Sequence, residues 1–153
     1  MDAKPIALKR LNGAKSIVAA DIEALPEEAL TRKFGDATRT VADIVFELNL
    51  VNDHIARAVR GEQQPPWPEG GWITAPAEFS SKESILGAFV EKMDVLIALA
   101  EGMDEADFAT VVETEMGSST KFEQFIFASM HNWYHSGQFN YIQTLLGDSD
   151  WHW

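Results

Sequence analysis

The chain has 153 residues, of which 46% are hydrophobic and 24% charged, values that are ordinary for a globular protein and exclude a disordered or fibrous one. Its 24 acidic and 12 basic side chains give a formal net charge of −12, which argues against nucleic acid and anionic membrane surfaces as partners. Because the chain has no cysteine, disulfides and thiolate ligands are excluded, and a metal would have to be bound by histidine and carboxylate side chains.

The first half of the chain predicts two long helices, because its apolar residues recur at intervals of three and four. The first helix is predicted from Pro5 to about Ala24, and Pro26 stops it and opens a short helical turn. The second is expected to begin after Thr40, a residue type that caps helix N-termini, and to run to Gly61, a natural C-terminal stop.

A long irregular connection follows the second helix. Residues 61–78 are rich in proline and glycine, so no regular element can run through them. We interpret this segment as a crossover between the ends of two parallel helices. Ser80 and Glu83 have the spacing of a capping box and are expected to open the third helix, which Gly102 ends.

The last part of the chain mixes an extended segment with a fourth helix. The stretch from Phe108 to Met116 is mixed, with Val111 and Val112 beside Glu113 and Glu115, and is expected to be extended. Thr120 and Glu123 repeat the capping-box spacing and open the last helix, which ends at Gly147. Four helices without other long elements predict an all-α fold, a helical bundle.

The residues with the strongest chemical signal are His131 and His135 in the last helix. Residues four apart lie on one face of a helix, so both imidazoles can bind the same ion. Asn132 stands where His-Glu-x-x-His zinc peptidases carry their general base, so peptidase activity is not expected. The alternative is a pair of hydrogen-bonded histidines among buried aromatic side chains, and the pattern alone leaves both interpretations open.

Several motifs together resemble the DinB/YfiT-like superfamily. They are Leu-Pro-Glu-Glu-Ala-Leu at 25–30, Thr-Val-Ala-Asp-Ile-Val at 40–45, His131-x-x-x-His135-x-Gly137-Gln138, and Leu-Leu-Gly at 145–147. The resemblance covers nearly the whole chain. It implies a four-helix bundle with a crossover between helices two and three, often dimeric, in which many members hold a divalent metal with three histidines. Two of these map onto His131 and His135.

The resemblance leaves two candidates for the third ligand. The family's ligand lies seven residues after the Ser or Thr that opens the second helix, and counting from Thr40 this position holds Glu47. His54 lies on the same face but roughly 10.5 Å further along the axis, too far for both side chains to bind one ion easily. We favour Glu47 and keep His54 as the alternative. Zinc or nickel is expected, with manganese or iron as alternatives.

Two histidines and one further ligand leave a coordination position open, as in catalytic metal sites. The resemblance implies transfer to or from a low-molecular-weight thiol, whose pKa the metal lowers. Hydrolysis by metal-activated water, a non-catalytic protein that senses a small molecule, and a bundle that binds no metal are the alternatives. Tyr134 and Gln138 flank the histidine pair and are candidate substrate-binding residues, or else packing and capping groups. Ser136 departs from the family, which frequently has a basic residue there.

The sequence also predicts the compartment and the partners. No apolar run approaches the roughly 20 residues of a membrane-spanning helix, and the first residues lack the charged and then apolar pattern of a signal peptide. We therefore expect a cytoplasmic protein, folded as one domain over residues 1–153, with a small-molecule substrate. A symmetric homodimer built from helix faces is expected from the resemblance alone.

Overall fold

The computed structural model describes residues 2–115 and 117–152, and long helices dominate this part of the chain. This architecture confirms the predicted all-α fold with four long helices. The elements are the helices α1 (Ala3–Ala24), α2 (Val41–Arg60), α3 (Lys82–Gly102) and α4 (Lys121–Leu145), two short 3-10 helices (Glu27–Ala29 and Glu105–Ala109), and the strands β1 (Val111–Thr114) and β2 (Gly117–Thr120). No helix in these two described ranges is sufficiently long and apolar to cross a membrane.

Local hydrogen bonds explain where α2 and α4 begin. The Thr40 hydroxyl accepts from the backbone N–H of Asp43, and the Asp43 carboxylate accepts from the N–H of Thr40, each at 3.0 Å. Thr120 and Glu123 form the same reciprocal pair at the start of α4, as their spacing predicts. Helix α2 ends at Gly61, whose φ of 73° is left-handed and favours glycine.

The start of α3 corrects one expectation. The capping residue is Ser81 rather than Ser80, because the Ser81 hydroxyl accepts the backbone N–H of Ser84 at 3.1 Å. Glu83 therefore lies in the first turn of α3 and is not the partner of a capping box with Ser80. Two adjacent serines offer the same chemistry, and the path of the preceding chain decides which of them caps the helix.

The connection between α2 and α3 returns along the length of α2. It leaves the C-terminal end of α2 at Gly61, yet the backbone N–H of Ala75 donates to the carboxylate of Asp43, in the first turn of α2, at 2.8 Å. Helix α3 thus starts at the end of the bundle where α2 starts, as predicted for a crossover. Helices α1 and α2 each pack against both α3 and α4.

A short antiparallel hairpin precedes α4. Val111 pairs with Thr120 and Thr114 with Gly117, so the expected extended segment is present as β1. Phe108 is the exception, because it lies in the 3-10 helix that precedes the strand and is buried in the core. Met116 lies outside the described residues.

A buried carboxylate links α1 to α4. Asp21 has no solvent exposure and accepts hydrogen bonds from the hydroxyl of Ser136 at 2.6 Å and the amide of Asn140 at 2.8 Å. These bonds supply partners that a buried carboxylate requires. Ser136, which stands where the resemblance leads us to expect a basic residue, thus connects two helices.

Candidate metal centre

Three potential metal ligands converge where α2 faces α4. Glu47 projects from α2, and His131 and His135 lie on successive turns of α4. One donor atom from each side chain lies within 4.8 Å of the other two. The two imidazole Nε2 atoms are 3.1 Å apart, and Glu47 Oε1 lies 3.5 Å and 3.6 Å from them. Three donors on two helices can therefore face one small cation.

Both imidazoles are neutral at pH 7, the form in which histidine binds metals. Burial, followed by the neighbouring His135, lowers the pKa of His131 to about 4. Burial also lowers the pKa of His135, although its hydrogen bond to Gln138 and the Glu47 carboxylate oppose this shift. The nitrogen lone pairs are thus not lost to protonation.

Gln138 sets the tautomer of His135. Its side-chain oxygen accepts a hydrogen bond from Nδ1 of His135 at 2.9 Å, so the proton of the neutral ring lies on Nδ1 and the lone pair on Nε2. That lone pair points toward Glu47 and His131, as ligation requires. In the described part of the chain, Nδ1 of His131 is buried without a hydrogen-bond partner, and the ring stacks on Phe127 with centroids 5.9 Å apart. The donor set fits a divalent cation.

Arg39 is a member of this site that the sequence patterns did not identify. Its guanidinium forms an ion pair with Oε2 of Glu47 and lies over the indole of Trp72, 5.0 Å from the ring centroid. A signal existed, because Arg39 immediately precedes the cap of the helix that carries Glu47, about two turns away. Its contact with Trp72 depends on the path of the crossover, which periodicity does not predict.

The three ligand candidates lie in the wall of a cavity of about 460 Å³. This volume is typical of a pocket for a small molecule. Arg39 and Gln138 supply further polar groups, and most other lining side chains are apolar or aromatic, including Phe34, Trp72, Tyr134, Tyr141 and Leu145. Tyr134 is 65% exposed at the surface of this cavity, while Gln138 also contacts His135. Both candidate substrate-binding residues therefore border the cavity.

His54 lies outside this donor group. Its two ring nitrogens are each 2.9 Å from a backbone carbonyl oxygen, of Leu50 on α2 and of Pro65 in the crossover. The ring packs edge-on against Trp67, with centroids 5.2 Å apart, and both residues line a second cavity of about 610 Å³. The structure therefore places the two ligand candidates of α2 in different surroundings, and Glu47 is the one beside the histidine pair.

The sequence and the fold were compared with those of known proteins. Residues 5–139 match the DinB superfamily. The chain belongs to this superfamily. A crystal structure of a conserved protein from Enterococcus faecalis superposes with a TM-score of 0.73, covering 97% of this chain and 99% of the other at 12% sequence identity. At this identity the likeness shows a shared fold. No curated protein matches the chain in sequence.

The donor group in this structure differs from the one that the resemblance implies. The resemblance implies three histidines, whereas the group in this structure that could hold a metal consists of two histidines and one carboxylate. A carboxylate supplies one negative charge that imidazole does not. It is also a harder ligand than imidazole, which would widen the range of divalent ions that such a donor group could hold.

Proposed function

We propose that this DinB-superfamily protein is a divalent-metal-dependent enzyme that acts on a small molecule, with Glu47, His131 and His135 as the metal ligands. The observation that carries the proposal is the convergence of these three donors in the wall of one small-molecule cavity. Zinc or nickel is the expected ion, since both accept imidazole and carboxylate. When bound, it would lower the pKa of a thiol in the open coordination position.

The reaction we favour is transfer of a low-molecular-weight thiol. Hydrolysis commonly uses a second carboxylate or histidine as general base. Among the described residues, the cavity is lined by no carboxylate other than Glu47 and by no histidine other than the pair. A thiol whose pKa is lowered by a bound metal would lose its proton to water, so thiol transfer would need no further base among the side chains of the cavity. Gln138 would hold His135 in its binding tautomer, and Tyr134 would border the substrate.

Metal binding is tested by melting temperature. A ligand that binds only the folded state at 100 times its dissociation constant stabilises by about 2.7 kcal/mol, which raises the melting temperature of a chain of this size by roughly 5–10 °C. We expect zinc or nickel to give such a shift with protein purified without an affinity tag. The double variant His131→Ala/His135→Ala should show none. An unchanged shift in that variant would contradict the assignment.

The choice of Glu47 is tested with a matched pair of variants on α2. Glu47→Gln removes the anionic ligand with little change in shape, and metal affinity should fall. His54→Gln is the control, since His54 contacts carbonyl groups elsewhere, and it should retain wild-type affinity. The reverse result would identify His54 as the ligand.

A separate assay distinguishes an enzyme from a metal-binding sensor. The metal-loaded wild-type protein is incubated with a small thiol and an electrophile, and an enzyme should consume both, whereas a sensor would show no turnover.

A further inference from the structure

Arg39 holds unused hydrogen-bonding capacity inside the cavity. Its side chain is only 11% exposed, and the guanidinium contacts Glu47 Oε2 and the backbone oxygen of Asp43, the latter at 3.2 Å. Its Nε is buried and has no hydrogen-bond partner in the described part of the chain. A guanidinium has five N–H donors in a planar fork that fits a carboxylate. Arg39 lines the cavity, so a ligand that accepts from fork donors left over by Glu47 and Asp43 gains a charge-assisted hydrogen bond.

The net charge around Arg39 becomes positive when a divalent cation enters. Among its described residues, the cavity lining carries one guanidinium, of Arg39, and one carboxylate, of Glu47. These charges cancel, and a divalent ion would leave an excess of two positive charges. The ion would also compete with Arg39 for Glu47. Two excess positive charges in a cavity that is largely shielded from water favour the binding of an anionic ligand.

The distance between the two binding points is short. Arg39 contacts one oxygen of the Glu47 carboxylate, and the histidine pair faces the other oxygen. A ligand that reaches both the histidine pair and Arg39 therefore needs only a few bonds between its two binding groups.

We infer that Arg39 is the anion-binding residue of this cavity, and that the substrate carries a carboxylate a few bonds from the atom that binds the metal. This inference rests on the proposed metal centre and specifies its substrate class. A carboxylate is favoured because the Arg39 guanidinium already pairs with the carboxylate of Glu47 while it lies over the apolar indole of Trp72.

The test uses two thiols of similar length as probes, 3-mercaptopropionate and the uncharged 3-mercapto-1-propanol. Calorimetric titration of zinc-loaded wild-type protein should show the carboxylate binding at least about tenfold more tightly, the usual effect of a charge-assisted hydrogen bond. Arg39→Met keeps an unbranched side chain beneath Trp72 and removes the charge, so this preference should disappear. Zinc affinity should be unchanged or higher, because a competing cation has been removed.

The control variant is Arg57→Met, also on α2. Arg57 forms an ion pair with Asp53 at 2.8 Å and does not line the cavity, so this variant should keep the wild-type preference. Arg39→Lys should keep part of it, since a point charge replaces the fork. Melting curves establish that each variant is folded.

The possible outcomes separate the two proposals. If wild-type protein binds no zinc, the metal centre itself is wrong. If zinc binds but wild type does not prefer the carboxylate, or Arg39→Met keeps the preference, the inference about Arg39 is overturned. A loss of zinc binding in Arg39→Met also overturns it, because Arg39 would then act by positioning Glu47.

Discussion

At the scale of single residues, burial controls the charge of the histidine pair. The pKa of His131 is lowered from 6.5 to about 4, so between these values the unfolded chain binds a proton that the folded chain does not. The metal-free protein should therefore lose stability as the pH falls from about 6.5 to about 4, and each unit of pKa difference corresponds to about 1.4 kcal/mol. Urea unfolding at pH 7, 5.5 and 4 measures this loss.

His131→Asn provides the comparison, since it cannot take up the proton and should show a weaker loss over the same range. The carboxyl group of Asp43 acts in a lower pH range. Burial tends to raise the pKa of Asp43, but the hydrogen bonds from Ala75 and Thr40 outweigh it and lower the pKa below 3.8. Stability linked to Asp43 is thus kept at pH 4 and lost only below 3.8. If the free energy of unfolding fell equally between pH 7 and pH 4 in wild type and in His131→Asn, the proton uptake of His131 would not be the cause of the loss.

The residues of the site differ in how well the sequence predicts them. The histidine pair follows from helical periodicity, because both residues lie on one helix. Glu47 follows from the resemblance to the DinB/YfiT-like superfamily, which implies a ligand seven residues after Thr40. Arg39 could not be assigned in this way, since its ion pair with Glu47 and its stacking on Trp72 depend on how the crossover is folded. The contact of Gln138 with His135 depends on side-chain rotamers, which spacing leaves undetermined.

At the scale of elements, Asp43 joins the start of α2 to the crossover. One carboxylate oxygen accepts from Thr40 in the capping box, and the other accepts from Ala75 at the far end of the connection. Asp43→Ala should cost about 1 kcal/mol for the lost cap and a further 1–3 kcal/mol for the unsatisfied N–H of Ala75. Chemical denaturation measures the difference.

Glu123→Ala is the matched control at the start of α4. Glu123 caps its helix by the same reciprocal pair, but among the described residues its carboxylate bonds only to Thr120. Removing it should cost only the capping contribution of about 1 kcal/mol. Equal losses in the two variants would show that the bond to Ala75 contributes nothing to stability.

The helices were predictable because apolar periodicity and capping residues agree along each of them. The crossover was predictable only as a segment without regular structure, since proline and glycine exclude helix and strand but do not specify a path. Its path depends on single contacts such as that between Asp43 and Ala75. Only the first strand of the hairpin was predicted, because β1 begins with two β-branched valines whereas β2 consists of glycine, serine and threonine.

At the scale of the whole molecule, an exposed apolar stripe on α4 is available for assembly. Met130, Tyr134 and Tyr141 are 62%, 65% and 66% exposed and lie on one face, being four and seven residues apart. Exposed apolar side chains in a row commonly mark an interface. We propose that two copies of the chain associate through this stripe as a symmetric homodimer.

Sedimentation velocity at micromolar concentration tests the dimer. We expect wild-type protein to sediment as a dimer and Met130→Asp to sediment as a monomer, since a buried unpaired charge is unfavourable. Val111→Asp is the control, because Val111 is also exposed, at 58%, but lies on β1. A monomeric wild type, or a Met130→Asp variant that stays dimeric, would rule out this interface.

The buried contacts of Asp21 have a consequence for the angle at which α4 presents its side chains. Ser136 and Asn140 bind Asp21 of α1, while the neighbouring His135 faces Glu47 of α2. Successive residues of a helix are separated by about 100° of rotation, so a slip of α4 by one residue would turn both imidazoles away from Glu47. The same slip would leave a buried carboxylate without these partners. Asp21 thereby fixes the rotational phase of α4, and it orients the histidines from the other side of the helix without touching them.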